Sequence, residues 1–313
     1  NADAYDVSIR NADGKMIYDN LNKTDYTASV TPLSESGGTY SGDIVIPNVI
    51  SAYGENYRVT SIDRYAFNEC HDLTSVHIPN SITNIDFDAF HNCNGLKAVN
   101  ITDRESWFKI NFYMSCSNPL FYAHNLYLNG TLITDLVISE QTDSIHGCVF
   151  AGGSFNTITI PKSVTYIGSY AFEHCSNIES ITIPNSITAI NHGTFECCDN
   201  LTSVDIPNSV TDIGSYAFFK CSNLRRIGIP NSMKTIDSNA FQYCDSLKAV
   251  CIKSLEAWCN IDFKDNPLYR GHYLYLNGKL IDDLFIPEQI DSIKPSSFEG
   301  GCFSSVTIPN SVT

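Results

Sequence analysis

The sequence predicts a solenoid, a coil in which each turn adds a short strand to one parallel β-sheet. Three observations carry that expectation. Pro161, Pro184, Pro207 and Pro230 stand 23 residues apart, and Cys175, Cys198, Cys221 and Cys244 keep the same step. Apolar and polar residues alternate for only a few positions before an Ile-Pro step, as in Val204-Asp205-Ile206-Pro207. A Gly, Asn or Asp then precedes a segment such as Ser-Tyr-Ala-Phe. A fixed period of this size marks an architecture whose repeats bury their apolar faces only by stacking on one another. Function is therefore to be sought on an extended surface.

Residues 1–42 lie outside the register and read as an N-terminal cap, since a solenoid needs its first apolar coil covered. Val7 to Tyr18 around Asp13-Gly14 form a predicted hairpin, and Tyr26 to Val30 a further strand. Residues 43–313 form about eleven coils, with a hairpin from Val49 to Val59 around Gly54-Glu55 accounting for the extra length before Pro79. In the coil from Leu201 to Leu224, the inward residues are Leu201, Val204, Ile206, Val210, Ile213, Ala217, Phe218, Cys221 and Leu224. Val204 and Ile206 alternate with Ser203 and Asp205, giving a strand buried on one face. Pro207 ends it, because proline lacks a ladder donor. Gly214 and its counterparts suit a helix cap, so the following Ser-Tyr-Ala-Phe is expected as a short helical turn. Parallel strands about 4.8 Å apart over eleven coils would give a sheet roughly 50 Å long. The chain stops within a repeat at Thr313, and the need for a terminal cap predicts continuation beyond it.

Two coils, near 100–138 and 253–286, are oversized and resemble each other. The first carries Trp107, Ile110, Phe112, Asn118-Pro119-Leu120 and Tyr127-Leu128-Asn129-Gly130; the second carries Trp258, Ile261, Phe263, Asn266-Pro267-Leu268 and Tyr275-Leu276-Asn277-Gly278. A multi-coil block has been duplicated. Both Asn-Gly steps predict a small β-ribbon.

Composition narrows the partners. The 313 residues carry a formal net charge of −15, whose field opposes nucleic acid and anionic membranes. No segment reaches the 18 or so apolar residues needed to span a bilayer, and Asn1 to Asp6 lack the features of a signal peptide, as expected after removal of a leader. Of the 12 cysteines, Cys70, Cys93, Cys175, Cys198, Cys221 and Cys244 share one slot of the period, which reads as a buried ladder rather than disulfides or a metal site. Cys148 and Cys302 are expected to fill that slot in less regular coils.

The run from Val204 to Leu224, Val-Asp-Ile-Pro-Asn-Ser-Val-Thr-Asp-Ile-Gly-Ser-Tyr-Ala-Phe-Phe-Lys-Cys-Ser-Asn-Leu, resembles the BspA-like family of leucine-rich repeats. The likeness covers about residues 43–313, and the oversized coils and the first 42 residues depart from it. It implies an α/β leucine-rich-repeat solenoid: a right-handed coil with one parallel β-sheet on the concave face and short helical turns or loops on the convex face. It further implies export to the cell surface of a bacterium and attachment to host or microbial proteins or glycans, with no residue motif to carry across.

No nucleophile elbow, HExxH, phosphate loop or EF-hand loop is present, so no catalytic residue, cofactor or metal is expected. His174 and Cys197 stack in the 23-residue frame, but two ligands do not make a structural zinc site. Asp282 and Asp283 are adjacent on a strand and do not converge. Trp107 and Trp258 are expected to pack within the inserts rather than stack on sugars. Small polar residues on the outer strand face predict a flat surface. On it Arg225, Arg226 and Lys248 form a basic cluster, with Glu179 and Asp205 upstream. These five, with His77, Tyr127 and Tyr275, are the candidate partner contacts. The sequence thus reads as a noncatalytic recognition or adhesion module, the alternative being a spacer that presents another domain; a hydrolase is disfavoured.

Overall fold

In the computed structural model, which describes residues 6–10, 16–32 and 40–313, strands end at the Ile-Pro step or one residue before it, as at Leu73–Ile78 and Ser203–Asp205. The chain divides into two compact units, residues 1–134 with 145–154, and residues 135–144 with 155–313. Both are stacks of β-solenoid coils, about eleven in all.

The first unit contains β1 (Val7–Arg10), β2 (Met16–Asn22), β3 (Thr27–Val30), β4 (Gly42–Val45), β5 (Val49–Ala52), β6 (Glu55–Ile62), β7 (Leu73–Ile78), β8 (Asn84–Ile85), β9 (Ala98–Ile101), β10 (Asn111–Phe112), β11 (Leu126–Leu128) and β12 (Thr131–Leu132). One sheet runs β1-β2-β3-β6-β8-β10, with β5 added to β6; the other runs β12-β11-β9-β7-β4. β1 and β2 pair antiparallel as expected, and the Asp13-Gly14 turn lies outside the described residues. The β5–β6 hairpin turns at Tyr53-Gly54, one residue earlier than expected, with φ of 53° and 85° and Ala52 opposite Glu55.

In the second unit, Ser203–Asp205, Arg226–Gly228, Ala249–Ile252 and Tyr273–Leu276 pair in parallel, and Lys279–Leu280 closes the sheet as a ribbon. A second parallel sheet joins Ala189–Ile190, Asp212–Ile213, Thr235–Ile236 and Asp262–Phe263. Two-stranded parallel sheets, such as Asp135–Val137 with Thr157–Thr159 and Asp283–Phe285 with Ser305–Thr307, add to these, so each unit has more than the one sheet that the sequence predicts. The extra strands are mostly two residues long, too short to show alternation.

The expected helical turn after Ile213 is a run of β-turns instead. Tyr216 and Lys220 have φ of 60° and 56°, and the same two slots are left-handed in neighbouring coils at Tyr170, His174, Asn239 and Tyr243. A left-handed residue every fourth position forbids an α-helix and costs about 1–2 kcal/mol for an ordinary side chain. The offset is visible in the main chain. Phe218 N–H donates to Ala240 O at 2.9 Å and Lys220 N–H to Gln242 O at 2.9 Å, so these donors bond to the next coil rather than their own.

Inside, Phe172, Phe195, Phe218 and Phe241 stack with centroids 5.7, 5.5 and 5.4 Å apart. All nine inward residues of the Leu201–Leu224 coil are buried. The cysteine ladder stands beside the rings. Cys198, Cys221 and Cys244 donate Sγ–H to Phe172 O, Phe195 O and Phe218 O at 3.2, 3.2 and 3.1 Å. None of the twelve cysteines forms a disulfide. Cys148 and Cys302 do not fill the ladder slot. That slot, three residues after Phe150 and Phe298, belongs to Gly153 and Gly301; Cys148 takes the left-handed position at φ 60°, and Cys302 is exposed.

One buried group runs against the apolar interior. Asp19 on β2 is fully buried, and neither carboxylate oxygen has a hydrogen-bond partner among the described residues. Burial, helped by the nearby Asp63 carboxylate, pushes its pKa from 3.8 to about 7. Burial raises Asp63 as well, against the hydrogen bonds from Ser29 and Asn20.

A folded pKa above the unfolded one means that the native state keeps a proton the unfolded chain has released. Stability is then lost as pH rises from 3.8 towards about 7. Asp19→Asn should flatten this dependence and melt higher than the wild type at slightly alkaline pH, with the difference shrinking in acid; thermal melts across that range check it. Separately, Phe218→Ala removes one ring from the stack and should cost about 3–5 kcal/mol in denaturant titrations.

Candidate functional site: a groove on the strand face

Register places the side chains of the second unit in rows across its main sheet. Asp205, Gly228, Cys251 and Tyr275 form one row, and Ser203, Arg226, Ala249 and Tyr273 the next. Where Gly228 and Ala249 fall between Asp205 and Arg226 on one side and Tyr275 on the other, the face sinks into a groove of about 740 Å³. The expected flat surface is thus corrected, because two small residues in adjacent strands leave their volume empty. That size suits a small-molecule or side-chain site.

Arg226 Nη1 donates to Asp205 Oδ1 at 2.8 Å, a bond that lies in the open and contributes little to stability. Gly228 keeps this arrangement: a Cβ there would come within 2.5 Å of Asp205 Oδ1. Pro207, Pro230, Asn185 and Asn208 line the rim, and on the far side stand Lys253 and the Asn277-Gly278 turn. The turn has φ of 52° and 81°, as the Asn-Gly signal predicts, and its strands pair Tyr275 with Leu280. Lys253, the three asparagines and half-exposed Cys251 were not anticipated as groove residues. Aligning coils by register rather than by motif would have found them.

The other candidates fall elsewhere. Arg225, Lys248 and Glu179 are exposed and belong to a column at the strand starts. Main-chain bonds build it: Thr202 N–H to Glu179 O at 3.0 Å, Arg225 N–H to Thr202 O at 2.8 Å, and Lys248 N–H to Arg225 O at 3.0 Å. His77 and Tyr127 belong to the first unit, where Asn100 pairs with both, so they share the row that corresponds to Gly228, Cys251 and Tyr275. There His77 and Asn100 supply side chains where the second unit has glycine and cysteine.

The inserts are scaffolding. Trp107 in α1 (Arg104–Phe108) and Trp258 in α2 (Leu255–Cys259) are buried, donating to Val149 O at 3.2 Å and Ser297 O at 2.7 Å. Asn118 and Asn266 repeat each other's bonds, to Cys148 O and Val149 O in one block and to Ser296 O and Ser297 O in the other. Asp282 and Asp283 accept from Ser304 and Ser305 respectively and do not converge. No cluster of three or more metal-ligating side chains is found among the described residues, and no helix there is long and apolar enough to cross a membrane.

Such stacked coils, with a recessed strand face, define a repeat protein of the β-solenoid class. Residues 51–120, 123–248 and 250–313 match the BspA type leucine rich repeat region in six copies, and the chain belongs to that family. Its fold is similar to that of a leucine-rich repeat protein from Bacteroides ovatus, with 22% identity and a TM-score of 0.59 over 99% of this chain and 90% of that one. More distant are a leucine rich cell surface protein of Faecalibacterium prausnitzii, at 18% identity and TM-score 0.44 over 83% and 99%, and the pneumococcal vaccine antigen PcpA, at 18% and 0.43 over 98% and 93%. No curated protein matches the chain.

Cysteine accessibility gives a direct check on this arrangement. Burial raises the thiol pKa of Cys93, Cys198, Cys221 and Cys244, while Cys251 in the groove, Cys116 and Cys302 reach solvent. Alkylation of the native protein followed by mass spectrometry should modify Cys302, Cys251 and Cys116 and spare the ladder, which reacts only after unfolding.

Proposed function

We propose that the protein is a noncatalytic recognition module, displayed outside the cell or on its surface, that adheres to a protein or glycan partner through the strand face of the second unit. The observation that carries this reading is the groove in which Asp205, Arg226 and Tyr275 meet. Leucine-rich repeat proteins generally bind proteins, and membership of that family supports the same reading.

Charge narrows the partner. On a chain of net charge −15, the groove carries Arg226 and Lys253 against the single carboxylate of Asp205, with Arg225 and Lys248 in the column of strand starts. A partner that presents carboxylates can exchange with Asp205 for the Arg226 guanidinium, whose fork suits such groups. Half-buried Tyr275 adds contact area at small cost in side-chain entropy.

Surface-binding measurements against extracellular-matrix proteins and acidic glycans test this. Arg226→Glu and Tyr275→Ala should each weaken saturable binding by roughly tenfold or more while leaving the thermal transition within a few degrees, the scale expected of a central contact. Arg225→Glu with Lys248→Glu should have a smaller, salt-dependent effect. Equal binding by wild type and Arg226→Glu would remove the groove from the interaction.

A further inference from the structure

The first unit carries a second concave face, independent of the groove. Across β6, β8 and β10 the outward residues Ser61, Asn84 and Asn111 form a row, and one residue past the strand ends Asp63, Asp86 and Tyr113 join them around a cleft of about 390 Å³. Asn111 Nδ2 donates to Asn84 Oδ1 at 3.2 Å, which aligns two exposed amides. Tyr113 is 67% exposed and held edge-on by Phe87, centroids 5.4 Å apart. Phe87 in turn packs on Tyr65 at 5.8 Å and lies under the Arg64 guanidinium at 4.7 Å. The ring that projects furthest is thus braced from behind and presents an open surface beside the cleft.

From this arrangement we infer that the β6–β8–β10 face is a binding site for a neutral saccharide. Asp63, Asp86, Ser61 and the two asparagines offer several hydrogen-bond acceptors on one patch, complementary to the hydroxyl donors of a sugar. Tyr113 supplies the flat apolar surface against which the C–H face of a sugar ring packs. Asp63 and Asp86 put two carboxylates on one patch whose lining holds no lysine or arginine, which disfavours an anionic ligand. Charge therefore separates the sites: a surplus of cationic groups in the groove of the second unit, two carboxylates and no lysine or arginine in the lining of this cleft.

A glycan array containing neutral and anionic oligosaccharides, probed with the whole chain and its variants, tests the inference. Neutral glycans should bind, with affinity reduced roughly tenfold by Tyr113→Ala and largely kept by Tyr113→Trp. Asn111→Ala, at an exposed position, serves as a second variant and should also weaken binding. Thermal melts of each variant separate lost binding from lost folding. Failure of every neutral glycan to bind, binding indifferent to both Tyr113→Ala and Asn111→Ala, or binding confined to anionic glycans would each overturn the assignment. Failure of the groove proposal shows instead as binding of matrix proteins and acidic glycans that is indifferent to Arg226→Glu, so the two can fall separately.

Discussion

Hydrogen bonding between successive coils is the constraint on which everything else depends. In the strands the bonds form parallel ladders, and in the turn segments they carry Phe218 N–H to Ala240 O and Lys220 N–H to Gln242 O. Because both kinds recur every 23 residues along the chain, a side chain and its counterpart one coil later face each other across one coil spacing. The phenylalanine column, with centroids 5.4 to 5.7 Å apart from Phe172 to Phe241, is the direct consequence. So is the left-handed backbone at Tyr216 and Lys220, local strain set against bonds that only a neighbour can supply.

The same constraint explains how an otherwise repetitive surface acquires a distinct site. Core slots admit little change, since each touches its equivalents above and below. Outward slots are free to differ, and a depression needs only small residues in adjacent strands. Gly228 and Ala249 do this in the second unit; in the first, Ala98 stands where Ala249 does, but His77 takes the slot of Gly228 and Asn100 that of Cys251. The duplicated inserts kept their anchors, Trp107 with Trp258 and Asn118 with Asn266, and the row between diverged. Shared scaffolding with unlike outward rows is the pattern expected when duplication precedes a change of binding surface.

Much of the fold was legible in the sequence because packing imposes it coil by coil. The period located the strands, the Asn-Gly steps located the ribbons, and alternation identified every inward residue of the Leu201–Leu224 coil. The second sheet escaped because pairs such as Asp212–Ile213 carry no periodic signal. The turn segment was misread as helical because a residue that caps a helix also suits a bend, and nothing in Ser-Tyr-Ala-Phe reveals that its N–H groups bond to another coil. At the candidate site, Arg226, Asp205 and Tyr275 were named from residue type and position. The groove between them was not, since it arises from what Gly228 and Ala249 lack, and Arg225 and Lys248 next door in sequence point to a different column.

The thiol column has a consequence for where such a molecule can work. Small secreted domains ordinarily gain stability from crosslinks that form only under oxidising conditions, and lose it when reduced. Here buried sulfurs serve as apolar filling, Cys70 and Cys93 in the first unit and Cys175, Cys198, Cys221 and Cys244 in the second. A fold built this way has the same interior in an anaerobic, thiol-rich medium as in air. Its integrity is decoupled from the redox potential of its surroundings.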